Sequence, residues 1–194
     1  MSATAVVTGS AGRVAEVAEA IERRGISVLR MDRAKDLAQA GEAVGARSVD
    51  YYVQLPDDVA SPNTTKAGAL AALFGGGLMS RVCEVDVMLP KLAPQCAVVL
   101  VTGETVEDLS TPEYPHAPTC VLEMLANAIV TDLSPSVVRT TVVSHRHSPD
   151  RIADIALATG PQRAALMAGY AAQAPEMSYD DWRLACLTTT GPEV

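Results

Sequence analysis

A short apolar run, Ala3 to Thr8 (ATAVVT), leads straight into a glycine turn, Gly9-Ser10-Ala11-Gly12, and then into a helical pattern. Val14, Val17, Ala18 and Ile21 recur at helical spacing, with Glu16, Glu19, Glu22, Arg23 and Arg24 on the opposite side. Gly25 stands where a C-terminal helix cap belongs. Ile26 to Met31 (ISVLRM) then reads as a second strand that ends at Asp32. Strand, helix and strand within about thirty residues leave no room for a hairpin; they require parallel strands joined by a right-handed crossover.

The rest of the chain continues the alternation. Asp36 to Val44 predicts a short helix, Ser48 to Leu55 (SVDYYVQL) a strand, and Pro56 to Asn63 a loop. Thr64 to Leu92 reads as helical, with Gly75-Gly76-Gly77 loosening or breaking it near the middle, as a kink, a close helix contact or a bend with no function. Cys96 to Thr102 (CAVVLVT) is a strand, and Gly103 to Pro118, with three prolines, a loop. Thr119 to Leu133 is an amphipathic helix and Ser136 to Val143 another strand. Ser148-Pro149-Asp150 has the chemistry of an N-terminal cap for a helix from Arg151 to Ala158. Pro161 to Ala172 and the surroundings of Trp182 predict a short helical tail, with Met167, Tyr170 and Met177 in core or interface positions. The expected architecture is a doubly wound parallel α/β sheet with three αβα layers, one Rossmann-like domain over residues 1–194.

Composition narrows the function classes. Hydrophobic residues make up 48% of the 194 positions and aromatics only 4%, so the core is built from small aliphatic side chains. A net charge of −8 argues against nucleic acid and against an anionic membrane surface as partner. No apolar run approaches the roughly 20 residues of a membrane span, and the start of the chain lacks the order of a signal peptide. A soluble, cytoplasmic protein is expected. Cys83, Cys96, Cys120 and Cys186 form no Cys-x-x-Cys pair, and each is expected to be a small buried hydrophobe.

Within the turn, Gly9, Ser10, Gly12, Arg13 and Val14 form a candidate dinucleotide cradle. Gly9 makes the tight bend, Gly12 lets a pyrophosphate approach the backbone, and Ala15 lets the helix pack closely on the sheet. The helix start offers free N–H groups to phosphate. Asp32, about twenty residues on, can accept hydrogen bonds from an adenosine ribose, which favours NAD over NADP. Arg13 and Arg33 pull the other way, since either could hold a 2′-phosphate. The plainer alternative is that both glycines only shape a strand-to-helix turn, with no cofactor.

From residue 4 to about 158, the order of these segments resembles the short-chain dehydrogenase/reductase family. VTGSAGRVA resembles its glycine turn, and Met31-Asp32-Arg33 the end of its second strand. SVDYYVQL resembles its fourth strand, and VMLPKLAPQCAVVLVT the long helix running into the fifth. His116 to Leu133 resembles the helix that carries the family's Tyr and Lys, and VVRTTVV the strand after it. The resemblance implies NAD(P) binding and association through the two long helices, Thr64–Leu92 and Thr119–Leu133. It also implies a Tyr-x-x-x-Lys proton relay with a polarising Ser. In register, His116 falls at the Tyr position, Cys120 at the Lys position, and the Ser falls near Thr102 or Gly103. Tyr114 is followed four residues later by Pro118, and Lys91 is the last lysine of the chain. Gln54-Leu55-Pro56 replaces the family's Asn-Ala-Gly, and a bulky Leu55 would intrude where the cofactor passes.

Three readings follow. The first is a non-catalytic relative that keeps a nucleotide and acts through a homo-oligomer or an active paralogue. The second is an atypical NAD(P)-dependent oxidoreductase with His116 in place of Tyr. The third is a protein with a partner outside redox chemistry. His116, Cys120 and Glu123 also form a conceivable Cys-His-acid set, against the alternative of replacement residues in a silent site. His145, His147 and Asp150 resemble part of a metal site without a fourth ligand, and a solvated loop is the simpler reading, so no metal is expected.

Overall fold

A computed structural model describes residues 3–32, 44–56, 77–103, 117–133 and 138–158. The five strands are β1 (Thr4–Gly9), β2 (Ser27–Asp32), β3 (Val49–Gln54), β4 (Leu92–Val101) and β5 (Val138–Val143). They form one sheet in the order β2-β1-β3-β4-β5, every pair parallel. The expected doubly wound sheet is therefore present. The helices are α1 (Ala11–Glu22), α2 (Met79–Met88), α3 (Ala117–Leu133) and α4 (Pro149–Leu157).

The central strands read as unbroken apolar runs because both of their faces are covered. Alternate residues go to opposite layers. Val7, Val53, Leu55, Val99 and Val101 join Val14, Val17 and Ile21 of α1 and Ile152, Ile155 and Ala156 of α4. Val6, Tyr52, Val98 and Leu100 join Val85 and Met88 of α2 and Ala126 and Ile129 of α3. These small side chains let the helices lie close to the sheet, and burying each Val, Leu or Ile contributes roughly 1.5–3 kcal/mol.

Several boundaries differ from the sequence reading. The expected helix to Leu92 ends earlier, in a 3-10 turn over Leu89–Lys91, and Leu92 already belongs to β4. Pro90 has no N–H to continue a helix, and the carbonyls of Pro90 and Lys91 accept from Arg47 and Ser48 instead. Leu92 pairs with Val49, but the next pair is Ala97 with Tyr51, so β4 bulges between them, with Pro94 and Gln95 exposed and Gln95 at φ 68°. That bulge hid the first half of the strand. Helix α3 begins at Ala117 and takes in Pro118, which a first helical turn tolerates. The expected helix over Asp36–Val44, Gly75 and Gly76, and the tail from Thr159, including Met167, Tyr170, Met177, Trp182 and Cys186, lie outside the described residues, except Val44.

Of the cysteines, Cys96 is buried as expected but Cys83 is exposed. It lies on the outward face of α2 with Met79 and Val82, while Arg81, Glu84, Val85 and Met88 turn inward. Burial, with a smaller contribution from Asp50, pushes the Cys96 thiol up to about 12. Since the thiolate is the nucleophile, a maleimide at neutral pH is expected to label Cys83 and spare Cys96 until the protein unfolds. Peptide mass mapping after labelling checks this.

Helices α1 and α4 lie side by side and are bound at their exposed edge by arginine. Arg24 reaches Asp154 at 2.6 Å and Asp150 at 3.1 Å, and Arg23 reaches Asp150 at 2.9 Å. The two arginines hold the Asp150 carboxyl below its ordinary value, Arg23 first, so the interaction is intact at neutral pH and fades as acid protonates it. Ser148 caps α4 as its sequence context predicts, with Oγ accepting from the Arg151 N–H at 3.2 Å. Ser148→Ala is expected to cost about 1 kcal/mol of stability, read as a lowered denaturation midpoint with unchanged slope.

Candidate functional site

Chain order reverses between β1 and β3: from β1 the chain goes outward to β2, then returns across to β3. Ligands of open parallel sheets bind at the carboxyl ends of strands at such a reversal. The glycine turn stands there. Gly9 ends β1 with φ 141°, and a Cβ on it would lie 2.7 Å from the Cβ of Leu55. Both backbone conformation and space therefore demand glycine. Leu55 does not intrude on the turn from the open side, as the sequence suggested. Its side chain is buried in the α1/α4 layer, and its N–H donates to the Thr8 carbonyl at 2.8 Å.

Gly12 is different. Among the described residues, a Cβ there would meet nothing within 4 Å, so the space beside Gly12 is open. Ser10 is the N-cap in extended conformation, and its side chain makes no capping bond to the leading N–H groups of α1. Val14 is buried beneath, and its N–H closes the first helical bond, onto the Ser10 carbonyl at 3.1 Å. Asp32 ends β2 directly opposite Gly9 in the ladder, which puts the acidic residue beside the turn. Arg33 lies outside the described residues, as does the side chain of Asp32.

Arg13 faces the loop after β5. Its Nη2 donates to the carbonyls of His145 at 2.6 Å and His147 at 2.7 Å, and Nη1 lies 4.0 Å from Glu16. The same loop is held from its other side: the His145 N–H donates to Thr102 Oγ1 at 3.0 Å, and the Thr102 N–H to the Val143 carbonyl at 2.8 Å. Thr102 is thus a buried anchor at the end of β4, next to Gly103, where a Cβ would press on Pro56 at 3.2 Å. Among the described residues, no three His, Cys, Asp or Glu side chains gather as a metal site, and Asp150 is engaged by Arg23 and Arg24. His116 lies outside the described residues, and Cys120 lies on α3 with only its backbone described.

Under the turn lies a buried polar group that sequence reasoning missed. Glu84 Oε1 accepts from the hydroxyls of Thr8 and Tyr52. Gln54 Nε2 donates to the Tyr52 oxygen at 3.1 Å and to the Arg81 carbonyl at 3.0 Å. Arg81 Nε donates to Gln54 Oε1 at 2.9 Å and Nη2 to the Gln54 carbonyl at 3.3 Å. All five residues are buried. A signal was present: Arg81 and Glu84 share the helical stripe of Val85 and Met88, where charge is not expected.

No family model matches the sequence, and no curated protein matches it. Solved structures do. An oxidoreductase of the short-chain dehydrogenase/reductase family from Burkholderia thailandensis superposes with TM-score 0.55 at 18% identity, over 84% of this chain and 88% of its own. The chain has the short-chain dehydrogenase fold. A small-chain dehydrogenase in complex with NADPH gives TM-score 0.54 at 15% identity, over 100% of this chain and 94% of its own. The NADH-dependent reductase A1-R′ complexed with NAD gives 0.50 at 12% identity, over 78% and 86%. Among the described residues, no helix is long and apolar enough to cross a membrane.

The two glycines differ in what the fold asks of them. Gly9→Ala is expected to destabilise the protein by about 1–3 kcal/mol, through strain and collision with Leu55. Gly12→Ala should change stability by less than about 1 kcal/mol, because its methyl enters open space. Paired thermal and denaturant melts check both.

Proposed function

We propose that this chain is a non-catalytic protein of the short-chain dehydrogenase type that binds a dinucleotide at its glycine turn. It acts through self-association or by pairing with an active paralogue. The observation that carries the binding half is the open space over Gly12, at the start of α1 and beside the reversal of the sheet. The residues assigned are Gly9, Ser10, Gly12, Arg13 and Val14 for the pyrophosphate turn, and Asp32 with neighbouring Arg33 for the adenosine ribose. Gly12 and Arg13 contribute backbone N–H groups, and Val14 supports the helix from below. The engagement of Arg13 by two loop carbonyls leaves Asp32 as the stronger determinant at the ribose, which favours NAD over NADP. The neighbours captured with NAD and with NADPH give the class of ligand precedent on this fold.

The non-catalytic half rests on the sequence. With no lysine after Lys91, no Tyr-x-x-x-Lys relay can form on α3. The association half is supported by α2 and α3, whose outer faces expose Met79, Val82 and Met124, the last 70% accessible. Calorimetric titration with NAD⁺, NADH, NADP⁺ and NADPH, with Gly12→Asp as control, tests the binding. Saturable binding tighter for NAD⁺ and NADH, and lost in Gly12→Asp, is expected. No heat at millimolar cofactor would overturn the nucleotide reading and leave association alone to explain the protein.

A further inference from the structure

We propose that Glu84 and Arg81 are positioning residues that fix the glycine turn, by tying the ends of β1 and β3 to helix α2. The two residues lie one helical turn apart: Glu84 holds both strands, through Thr8 and Tyr52, and Arg81 holds β3. Glu84 takes the hydroxyl of Thr8, the residue immediately before Gly9. Arg81 takes both the side chain and the carbonyl of Gln54, immediately before Leu55. Thr8 and Gln54 are ladder partners, so the two grips meet across the strand pair at which the sheet reverses.

The donor directions are consistent along the whole chain of groups. The guanidinium donates to the Gln54 amide oxygen, the Gln54 amide nitrogen to the Tyr52 oxygen, and the Tyr52 hydroxyl to the carboxylate. The Thr8 hydroxyl donates to the same carboxylate oxygen. A buried cation and a buried anion are thereby joined through neutral groups, with no two donors or two acceptors opposed. Buried hydrogen bonds of this kind favour one relative placement of their donors and acceptors.

The helix could have been seated on the sheet by Val85 and Met88 alone, as it is further along. Apolar contact is non-directional and tolerates sliding. Hydrogen bonds at the level of Thr8 and Gln54 do not, so α2 and the turn share one register. This deepens the nucleotide reading, and rests on it only for what the turn holds.

The test is hydrogen exchange on ligand-free protein, comparing Thr8→Val with Tyr52→Phe. Both substitutions are near-isosteric and each deletes one hydroxyl donor to the same buried carboxylate; Tyr52→Phe also removes one acceptor of Gln54 Nε2, which keeps its bond to the Arg81 carbonyl. Only the first releases the residue next to Gly9. Exchange over Thr8–Val14 is read relative to β5, which reports general loosening. Thr8→Val is expected to speed turn exchange about tenfold over that reference, and Tyr52→Phe to leave it unchanged. Equal acceleration in both, or none in Thr8→Val, would overturn the proposal. Should Thr8→Val not fold, Thr8→Ser against Thr8→Ala isolates the hydroxyl. Protection retained in Ser and lost in Ala supports the assignment, and equal behaviour refutes it. Because no nucleotide is present, a protein that binds none would sink the functional reading and leave this result standing.

Discussion

The parallel ladder between β1 and β3 joins the part of the sheet that runs back to β2 with the part that runs on to β4 and β5. Parallel strands cannot be joined by a tight turn, and the described helices lie over the two faces of the sheet. Helix α1 falls on one face and α2 and α3 on the other. The carboxyl ends of β1 and β3 lie where α1 packs on one face and α2 on the other. The tight bend at Gly9, packed against Leu55, follows from that pairing, and the neighbouring β1–β2 ladder sets Asp32 beside it.

Much of this was legible because local chemistry and global fold agree. The β1-α1-β2 unit could be read residue by residue: apolar run, glycine turn, amphipathic stripe, and Gly25 at φ 81° just past the helix. The Ser148 cap was legible for the same reason, since a capping hydroxyl acts on backbone three residues away. The start of β4 was not, because its bulge is set by pairing with Val49 and Tyr51, more than forty residues earlier in the chain. The bonds of Thr8 to Glu84 and of Arg13 to His145 also join residues far apart in sequence. Nothing local marks such partners, and Leu55 was misplaced for a related reason. Its bulk was evident, but the face it takes depends on the phase of β3.

The loop after β5 shows how a short connection is made rigid. Ser144 to His147 has four residues to leave the sheet and start α4. Three separate elements hold it: Arg13 from α1, Thr102 from β4, and the Ser148 cap at its end. These bonds use the backbone carbonyls of His145 and His147 and the N–H of His145. The loop is thus a fixed wall on one side of the turn, and the polar group under Thr8 and Gln54 a fixed floor on the other.

The side-by-side seating of α1 and α4 has a consequence for the nascent chain. Val14, Val17 and Ile21 emerge from the ribosome early, whereas Ile152, Ile155 and Ala156, which share their layer, come more than a hundred residues later. Val99 and Val101, the sheet residues between them, also arrive late. Chains elongate at roughly 5–20 residues per second, so the apolar stripe of the first helix, met early by Val7 and Val53, waits several seconds for the rest of its cover. During that interval it is a natural client surface for a chaperone, and a truncated product ending before α4 would carry it partly exposed.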